Sequence, residues 1–247
     1  MTSMSYVMYL PQNQRGQDYF VGDIHGRYQP LMAQLAEVGF DFTCDRLISV
    51  GDLLDRGEEN EQVVDLLDQT WFFAVRGNHE QFILDQYEPE RIMLNGDYAN
   101  YCPREIHQKM APVESDWFYA LDEQQQEAIA HKLMPLPYVL LVPIAGYRIG
   151  VCHAAVPWSY SDWTDFIDDL ALRNTRELTI RTRKVAQNLA KGEDRVLSGI
   201  DYTLHGHCTF SQPLFGKSSG FIDTFDVSGQ LTLIAAQELI ARMKDAE

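Results

Sequence analysis

The sequence predicts an α/β fold with layered sheets, and the whole chain, residues 1–247, is interpreted as a single domain. Five short apolar runs, each bounded by glycine or polar residues, have the length and composition of buried strands. Segments with apolar residues at helical spacing lie between several of these runs. Alternation of strands and helices is typical of sheets that are covered by helices.

The predicted strands share one property, since each ends abruptly in small polar residues that are able to bind a metal. The runs are 19–21, 47–50, 71–75, 149–152 and 202–204. In α/β folds, ligands bind outside the carboxyl ends of the strands. We therefore expect the polar clusters that follow these runs to meet in one site.

Helices are predicted from spacing and from composition. The segments are 31–38 and 63–67, with apolar residues at helical spacing, 122–133, which is rich in helix formers, and the polar segment 159–191. Residues 87–117 contain several prolines and are interpreted as an irregular or partly helical insertion over the site. Near the end of the chain, 221–223 and 231–234 are predicted as two strands joined by a turn at Ser228-Gly229.

The charge balance excludes two classes of function. The chain has 20 basic and 36 acidic side chains, which gives a net charge of -16 at pH 7. General binding to nucleic acid or to anionic membranes requires clustered Lys and Arg, so we expect neither partner. One phosphorylated group bound at a local cationic site remains compatible with this composition. Two bound divalent cations would bring the charge to about -12.

The cysteines and the absence of an export segment suggest a cellular location. Cys44, Cys102, Cys152 and Cys208 form no CxxC pair and are interpreted as reduced thiols. The first residues have neither the basic region nor the apolar core of a signal peptide. No apolar stretch approaches the ~20 residues of a membrane span. We therefore expect a cytoplasmic protein.

The first polar cluster, Gly22-Asp23-Ile24-His25-Gly26, pairs a carboxylate with an imidazole. Side chains two residues apart in an extended strand point the same way. Asp23 and His25 therefore offer an oxygen and a nitrogen ligand together, which suits Mn, Fe or Zn. Taken alone, the pair is also compatible with a turn or a helix cap.

The second cluster, Gly51 to Gly57, contains two carboxylates and a guanidinium. One interpretation is a solvated turn with a local ion pair. The other gives each side chain a role. Asp52 would bridge two metals, Asp55 would orient a catalytic acid or base, and Arg56 would bind phosphate through paired hydrogen bonds.

The third cluster follows the run 71–75 and begins a predicted helix. Asn78 suits the N-cap of that helix, and Glu80 suits its first turn. The N-cap role is compatible with metal binding by the carbonyl oxygen of the Asn78 side chain. His79, taken alone, suits a position at the start of the helix.

Two later histidines follow strands and are candidate ligands. His153 comes directly after 149–152, and His207 comes shortly after 202–204. His205 competes with His207, because residues two apart on a strand share a face. His107 and His131 are interpreted as surface or packing residues.

Together, the motifs GDIHG, GDLLDRG, GNHE, a later histidine after a strand, and HGH resemble those of the phosphoprotein phosphatase family of metallophosphoesterases. The resemblance is greatest to the small bacterial and bacteriophage Ser/Thr protein phosphatases, and it spans roughly residues 20–234. It implies a calcineurin-like metallophosphoesterase fold, in which two mixed β-sheets pack as a sandwich flanked by helices.

The resemblance also implies a set of metal ligands. They are Asp23 and His25 for the first metal, Asp52 as the bridge between both, and Asn78, His153 and His207 for the second. The last ligand of the family lies in a Gly-His-Thr/Cys motif, which here is Gly206-His207-Cys208. His207 is therefore preferred to His205.

Catalytic and substrate-binding roles follow from the same resemblance. His79 would be the general acid, oriented by Asp55, and Arg56 would bind the substrate phosphate with Asn78. A second phosphate-binding arginine is expected upstream of the last ligand.

We assign that role to Arg183, because Ile180-Arg181-Thr182-Arg183-Lys184 is similar to a family motif. The tryptophan and glutamate of that motif are absent. Arg173 and Arg176 are the alternatives.

The implied activity is metal-dependent hydrolysis of phosphomonoesters. The expected substrates are phosphoserine and phosphothreonine in proteins or peptides, and phosphotyrosine is a further candidate. A hydroxide bridging two divalent cations, expected to be Mn with Fe or Zn as alternatives, would attack phosphorus directly. The alternatives are a symmetrical diadenosine tetraphosphate hydrolase, a small-molecule phosphatase and, more distantly, a binding scaffold without catalysis.

Overall fold

The apolar runs predicted as strands belong to two β-sheets in the computed structural model, which describes residues 5–87 and 113–245. The strands are β1 (Val7–Tyr9), β2 (Asp18–Val21), β3 (Arg46–Ser49), β4 (Phe72–Ala74), β5 (Val139–Ile144), β6 (Tyr147–Val151), β7 (Tyr202–His205), β8 (Leu214–Phe215), β9 (Ser219–Phe221) and β10 (Leu233–Ala235). The five predicted strands are confirmed as β2, β3, β4, β6 and β7.

Both sheets are mixed. The larger has the strand order β1-β5-β6-β7-β9-β8, and the smaller has the order β10-β2-β3-β4. Strands β6, β7 and β9 are parallel, and so are β2, β3 and β4. Parallel neighbours end at the same edge of a sheet, so the polar segments that follow these strands lie close together.

The two sheets pack face to face over an apolar core. Phe20 and Ile48 of the smaller sheet pack against residues of the larger sheet such as Leu204. Their neighbours Tyr19 and Leu47 belong to a second core beneath the helices. Successive side chains of a strand point to opposite faces, and both faces are buried here. This double burial explains why the strands are continuous apolar runs.

Helices cover the outer faces of the sheets. They are α1 (Tyr28–Glu37), α2 (Asn60–Asp65), α3 (Asn78–Leu84), α4 (Asp116–Ala120), α5 (Glu123–Leu133), α6 (Trp163–Asp168), α7 (Arg173–Arg181), α8 (Lys184–Ala190), α9 (Phe225–Ser228) and α10 (Ala236–Asp245). Leu31 and Leu35 are buried as predicted. Val38 is 46% exposed, because α1 ends at Glu37 and Gly39 turns the chain with φ of +68°. Placing Val38 on the apolar face was therefore wrong.

The predicted hairpin near the end of the chain is also wrong. Strand β9 pairs with β7 and β8 in the larger sheet, whereas β10 pairs with β2 in the smaller sheet. The segment between them forms helix α9, which ends at Gly229 with φ of +73°. Apolar runs predict strands, but the sheet that each strand joins depends on distant pairing partners.

Most of the predicted insertion at 87–117, namely residues 88–112, lies outside the described residues, and so does His107, which belongs to it. At its far end, Val113–Ser115 form a short 3-10 helix that leads into α4. The single-domain interpretation of residues 1–247 stays a prediction. Every helix in residues 5–87 and 113–245 is too short or too polar to cross a membrane.

Candidate metal centre

The predicted ligands converge where β2, β3, β4, β6 and β7 end. Asp52, which follows β3, lies at the centre of the cluster. Its Oδ2 atom is 3.2 Å from His153 Nε2 and 3.9 Å from His25 Nε2. Both sheets therefore supply side chains to one site.

Within residues 5–87 and 113–245, two groups of side chains have the spacing of a cation site, and Asp52 belongs to both. The first group is His25, Asp52 and His79, and the second is Asp52, His153 and His207. Within each group, the candidate ligand atoms lie within 4.8 Å of one another. A carboxylate shared by both groups is positioned to contact a cation in either of them.

His25 presents an unshared lone pair to this centre. Its Nδ1 lies 2.6 Å from the carbonyl oxygen of Leu54, and a carbonyl only accepts, so Nδ1 carries the proton. Burial lowers the pKa of His25 to about 4, which keeps the ring neutral at pH 7. The Nε2 atom is buried without a hydrogen-bond partner in the described part of the chain. A cation fits this atom, because a hydrogen-bonded neutral imidazole binds metals through its second nitrogen.

The structure separates His207 from its competitor His205. Both ring nitrogens of His205 have partners, the carbonyl oxygen of Cys152 at 2.9 Å and the hydroxyl of Thr203 at 2.9 Å. His207 lies beyond the strand, and its buried Nε2 has no hydrogen-bond partner among the described residues. Burial lowers the pKa of His207 to about 3, so this ring is also neutral. His207 is therefore the histidine with a lone pair available to a cation.

Asn78 and His153 meet across the two sheets. The Nε2 atom of His153 is 3.1 Å from Asn78 Oδ1, and its Nδ1 is 2.9 Å from the carbonyl oxygen of Val50. The N-cap of α3 is Gly77 rather than Asn78. The predicted N-cap role of Asn78 was therefore wrong, because its side chain points into the centre instead of back along the helix.

Buried negative charge accumulates at Asp23. Its carboxylate accepts the backbone N–H of His207 at 3.0 Å. A Cβ on Gly206 would lie 1.8 Å from Asp23 Oδ1, so this close approach requires glycine. Burial, and then the carboxylates of Asp223 and Asp52, raise the pKa of Asp23 well above its ordinary value. Bound cations would offset this repulsion.

Asp223 is a buried carboxylate near the centre that sequence reasoning missed. It lies two residues beyond the end of β9, as Asp23 lies two residues beyond β2. The apolar pattern had placed Asp223 inside the predicted strand 221–223, which hid this position. Its Oδ2 accepts a hydrogen bond of 2.5 Å from the hydroxyl of Thr209. Burial raises the pKa of Asp223, and this carboxylate in turn raises the pKa of Asp23.

Glu80 positions the central carboxylate of Asp52. Sequence reasoning also missed this role of Glu80. Its fully buried side chain accepts the backbone N–H groups of Asp52 at 3.0 Å, Leu53 at 2.8 Å and Gly77 at 2.8 Å. These bonds join the loop after β3 to the start of α3. Interpreting Glu80 as a first-turn helix residue accounts only for its bond to Gly77.

Backbone strain is concentrated in the same loops. Six non-glycine residues of the described chain have φ in the left-handed region. Five of them are predicted site residues, namely His25, Asp52, Asp55, Arg56 and His207. Such conformations are unfavourable by about 1 kcal/mol or more each, and they cluster at functional sites.

Asp55 and His79 form a hydrogen-bonded pair beside the candidate ligands. The Nδ1 atom of His79 is 2.6 Å from Asp55 Oδ2, and its Nε2 is 3.8 Å from Asp52 Oδ2. Burial lowers the pKa of His79, but Asp52 and Asp55 outweigh this effect and raise it to about 9. His79 is therefore protonated on both ring nitrogens and positively charged at neutral pH. Ser115 and Trp117 also donate to Asp55, at 2.9 Å and 2.8 Å.

The candidate arginines occupy different environments. Arg56 follows Asp55 in the loop after β3, and its guanidinium donates to Asp226. Its positive charge opposes the rise in the pKa of Asp23 that burial causes, and it adds to the effect by which burial lowers the pKa of His25. Arg183 is exposed, and its charge lowers the pKa of His207. Arg176 is 7% exposed and donates to the carbonyl oxygens of Leu170 and Ala171.

Arg176 is therefore engaged in holding the chain between α6 and α7 together. The third candidate, Arg173, is partly buried at the start of α7, and within the described part of the chain no hydrogen bond or ion pair joins it to the ligand cluster. Of the three candidates, Arg183 is the one whose charge acts on a candidate ligand.

A family model described as calcineurin-like phosphoesterase matches residues 19–207 of the chain. The chain belongs to this family. The fold and the family resemblance expected from the motifs are thereby confirmed. All of the candidate ligands lie inside the matched residues of this phosphoesterase.

Two bacterial protein phosphatases match this phosphoesterase over most of its length. Serine/threonine-protein phosphatase 2 of Escherichia coli (strain K12) is 33% identical over 209 residues, which are 83% of this chain and 86% of that protein. Serine/threonine-protein phosphatase 1 of Salmonella typhimurium is 32% identical over 226 residues, or 89% of this chain and 91% of that protein.

Similarity to diadenosine tetraphosphate hydrolases is more limited. A symmetrical bis(5'-nucleosyl)-tetraphosphatase of Photorhabdus laumondii is 41% identical over 71 residues, which are 28% of this chain and 26% of that protein. A solved structure described as a putative diadenosine tetraphosphatase has a TM-score of 0.55 and 21% identity, and the match covers 93% of both chains. At that identity the structural match supports the fold alone.

Proposed function

We propose that this phosphoesterase is a metal-dependent protein phosphatase that hydrolyses phosphoserine and phosphothreonine. The observation that carries the proposal is the position of Asp52, which belongs to both candidate cation groups beside the His79–Asp55 pair. The two Ser/Thr protein phosphatases that match most of the chain support the same substrate class.

We propose the predicted residues as the ligands of two divalent cations. They are Asp23, His25, Asp52, Asn78, His153 and His207. When bound, the cations, which we propose to be Mn with Fe or Zn as alternatives, supply Lewis-acid charge to the phosphoryl group and a nucleophile at neutral pH. The unpaired Nε2 atoms of His25 and His207 support this ligand set.

The proposed role of His79 is to donate a proton to the leaving oxygen of the substrate. Because Nδ1 is hydrogen-bonded to Asp55, the Nε2 atom is the one that faces the site. Asp55 keeps this orientation and stabilises the charged imidazole. A serine or threonine alkoxide is a poor leaving group, so protonation lowers the barrier most for these substrates.

Three further side chains are proposed to bind the phosphoryl group. Arg56 lies in the loop after β3, close enough for its charge to act on Asp23 and His25. Arg183 lies close enough to His207 for its charge to act there. Asn78 projects into the centre from the start of α3. Guanidinium groups match the oxygens of a phosphoryl group through paired hydrogen bonds.

A substrate panel tests the proposed function. The enzyme, loaded in turn with Mn, Fe or Zn, is assayed with phosphoserine, phosphothreonine and phosphotyrosine peptides and with diadenosine tetraphosphate. We expect the highest kcat/KM for the phosphoserine or phosphothreonine peptides. A higher value for diadenosine tetraphosphate would replace the proposal with the nucleotide hydrolase. Inactivity towards the whole panel and towards p-nitrophenyl phosphate would favour a binding scaffold.

We also propose a cytoplasmic location. The thiols of Cys44, Cys152 and Cys208 are free, which is typical of proteins in a reducing compartment. Fractionation of the native host with immunodetection tests this location, and recovery outside the cytoplasm would contradict it.

A further inference from the structure

One carboxylate bridges two arginines at the edge of the candidate metal centre. Asp226 Oδ1 accepts a hydrogen bond of 2.9 Å from Arg27, and Asp226 Oδ2 accepts a short one from Arg56. These residues follow β2, β3 and β9, whose carboxyl ends carry Asp23, Asp52 and Asp223. Two guanidinium groups thus converge on one anionic group beside the proposed ligands.

Arg27 is held in place by contacts other than this ion pair. Its guanidinium lies 3.9 Å above the ring of Phe225, and its Nη1 donates to the carbonyl oxygen of His25 at 3.1 Å. The half-buried guanidinium is therefore oriented by two contacts besides Asp226. The carbonyl that it binds belongs to the backbone of the loop that carries the proposed ligand His25.

The contact between Arg56 and Asp226 is of a kind that exchanges readily. Both side chains are 32% exposed, and exposed ion pairs contribute little net stability. Asp226 lies on α9, a four-residue helix with no buried residues. Another anion can therefore displace the carboxylate of Asp226 from between the two arginines.

We propose that Arg27 is a further phosphate-binding residue, that it forms a two-arginine seat with Arg56, and that Asp226 occupies this seat until substrate displaces it. The inference rests on the proposed phosphate-binding role of Arg56. A phosphomonoester is a dianion at neutral pH and carries more charge than the carboxylate that it replaces. A phosphodiester is a monoanion and gains little by the exchange, so Asp226 favours monoesters over diesters.

Substitutions of Arg27 and of Asp226 should change the Kd of phosphate in opposite directions. Arg27→Gln should raise the Kd of inorganic phosphate, measured by titration calorimetry on the Mn-loaded enzyme, about tenfold, because a charged hydrogen bond is lost. Asp226→Asn should lower that Kd about threefold, because the competing charge is lost while a side chain of the same shape remains. The KM for p-nitrophenyl phosphate should move in the same directions, with kcat changed less than threefold.

A purely structural ion pair gives a different result. If Asp226 only positioned the arginines, Asp226→Asn and Arg27→Gln would weaken phosphate binding alike, and this outcome would overturn the proposal. An unchanged Kd in both variants would also overturn it. If Arg27→Gln fails to fold, as judged by its thermal unfolding, the sign of the change in Asp226→Asn decides alone.

Arg148 and Asp201 provide the matched control. They form an exposed ion pair of 3.6 Å at the amino ends of β6 and β7, the ends opposite those that carry His153 and His207. Arg148→Gln and Asp201→Asn should leave the Kd of phosphate within a factor of about two. A change as large as in the Arg27 and Asp226 variants would show a general charge effect and overturn the proposal.

Selectivity supplies the last test. The ratio of kcat/KM for p-nitrophenyl phosphate to that for bis(p-nitrophenyl) phosphate should fall at least about threefold in Asp226→Asn. An unchanged ratio would overturn the selectivity role of Asp226. These probes do not depend on the peptide substrate, so inactivity towards phosphopeptides would contradict the proposed function while leaving the opposite shifts in Kd interpretable.

Discussion

The indole Nε1 of Trp117 donates a hydrogen bond of 2.8 Å to Oδ1 of Asp55, whose other oxygen lies 2.6 Å from His79 Nδ1. Trp117 lies in α4, more than thirty residues beyond α3 in the chain, so this bond joins two distant segments at the site. Asp55 has φ of +72°, an unfavourable backbone conformation for aspartate. Its partners therefore maintain the direction in which the carboxylate holds His79.

Trp117→Phe should reduce kcat for phosphoserine peptides about tenfold, because a hydrogen bond to a charged group is removed while most of the ring is kept. The effect should be smaller for p-nitrophenyl phosphate, whose leaving group needs less protonation. The ratio of the two kcat values measures the difference. Trp158→Phe, at an indole that packs on Arg195, should leave the ratio unchanged. Equal losses with both substrates would contradict the positioning role.

His79→Asn should keep both metals and reduce kcat for phosphoserine peptides about 10²–10⁴-fold, the usual contribution of a general acid. The loss with p-nitrophenyl phosphate should be much smaller. Metal content by mass spectrometry and steady-state kinetics check these two expectations. Because His79 also lies within reach of His25 and Asp52, loss of a metal from this variant would identify it as a ligand instead.

Asp52→Asn should abolish activity and weaken the binding of both cations by more than about 100-fold, since one charge serves two sites. Competition with a chromophoric chelator measures the affinity of each cation. Asp165→Asn, at an exposed residue of α6, is the matched control and should retain both metals and full activity. Full activity of Asp52→Asn with two bound ions would rule out a bridging role.

Arg183→Ala and Arg176→Met should separate substrate binding from stability. Arg183→Ala should raise KM about tenfold, because a charged hydrogen bond to the phosphoryl group is lost, with little change in Tm, because the side chain is exposed. Arg176→Met should lower the free energy of unfolding by about 2–3 kcal/mol, because the carbonyl oxygens of Leu170 and Ala171 lose their donor, and leave KM unchanged. Steady-state kinetics and thermal unfolding of each variant test these two expectations. A raised KM in Arg176→Met with a lowered stability of Arg183→Ala would assign substrate binding to Arg176 instead.

Removal of metal should lower Tm, because Asp23, Asp52 and Asp223 are left as crowded buried carboxylates. Free cation at about 100 times its Kd stabilises the folded state by about 2.7 kcal/mol, which corresponds to roughly 5–10 °C in a chain of this size. Calorimetry with a chelator, followed by titration with Mn, measures the shift. A Tm that does not respond to Mn would contradict a cation site in this cluster.

The sequence by itself determined the strands and most of the candidate ligands. Asp23, His25, Asp52 and Asn78 each lie within four residues of the end of a short apolar run, and both features depend only on neighbouring residues. The α/β class follows from the alternation of these runs with segments of helical spacing, and the runs are continuous because a strand buried on both faces must be apolar throughout.

The tertiary structure decided the questions that depend on distant partners. The ring nitrogens of His205 are taken up by Thr203 and Cys152, whereas the Nε2 atom of His207 has no hydrogen-bond partner among the described residues. The guanidinium of Arg176 binds backbone carbonyl oxygens, whereas the charge of Arg183 acts on a candidate ligand. The sequence pattern predicts which side chains face inward. Whether a buried lone pair or charge is free to bind a ligand depends on atoms that remote segments bring beside it. For the same reason, the hydrogen bonds to Asp55 and the bridge at Asp226 became visible only in the folded chain.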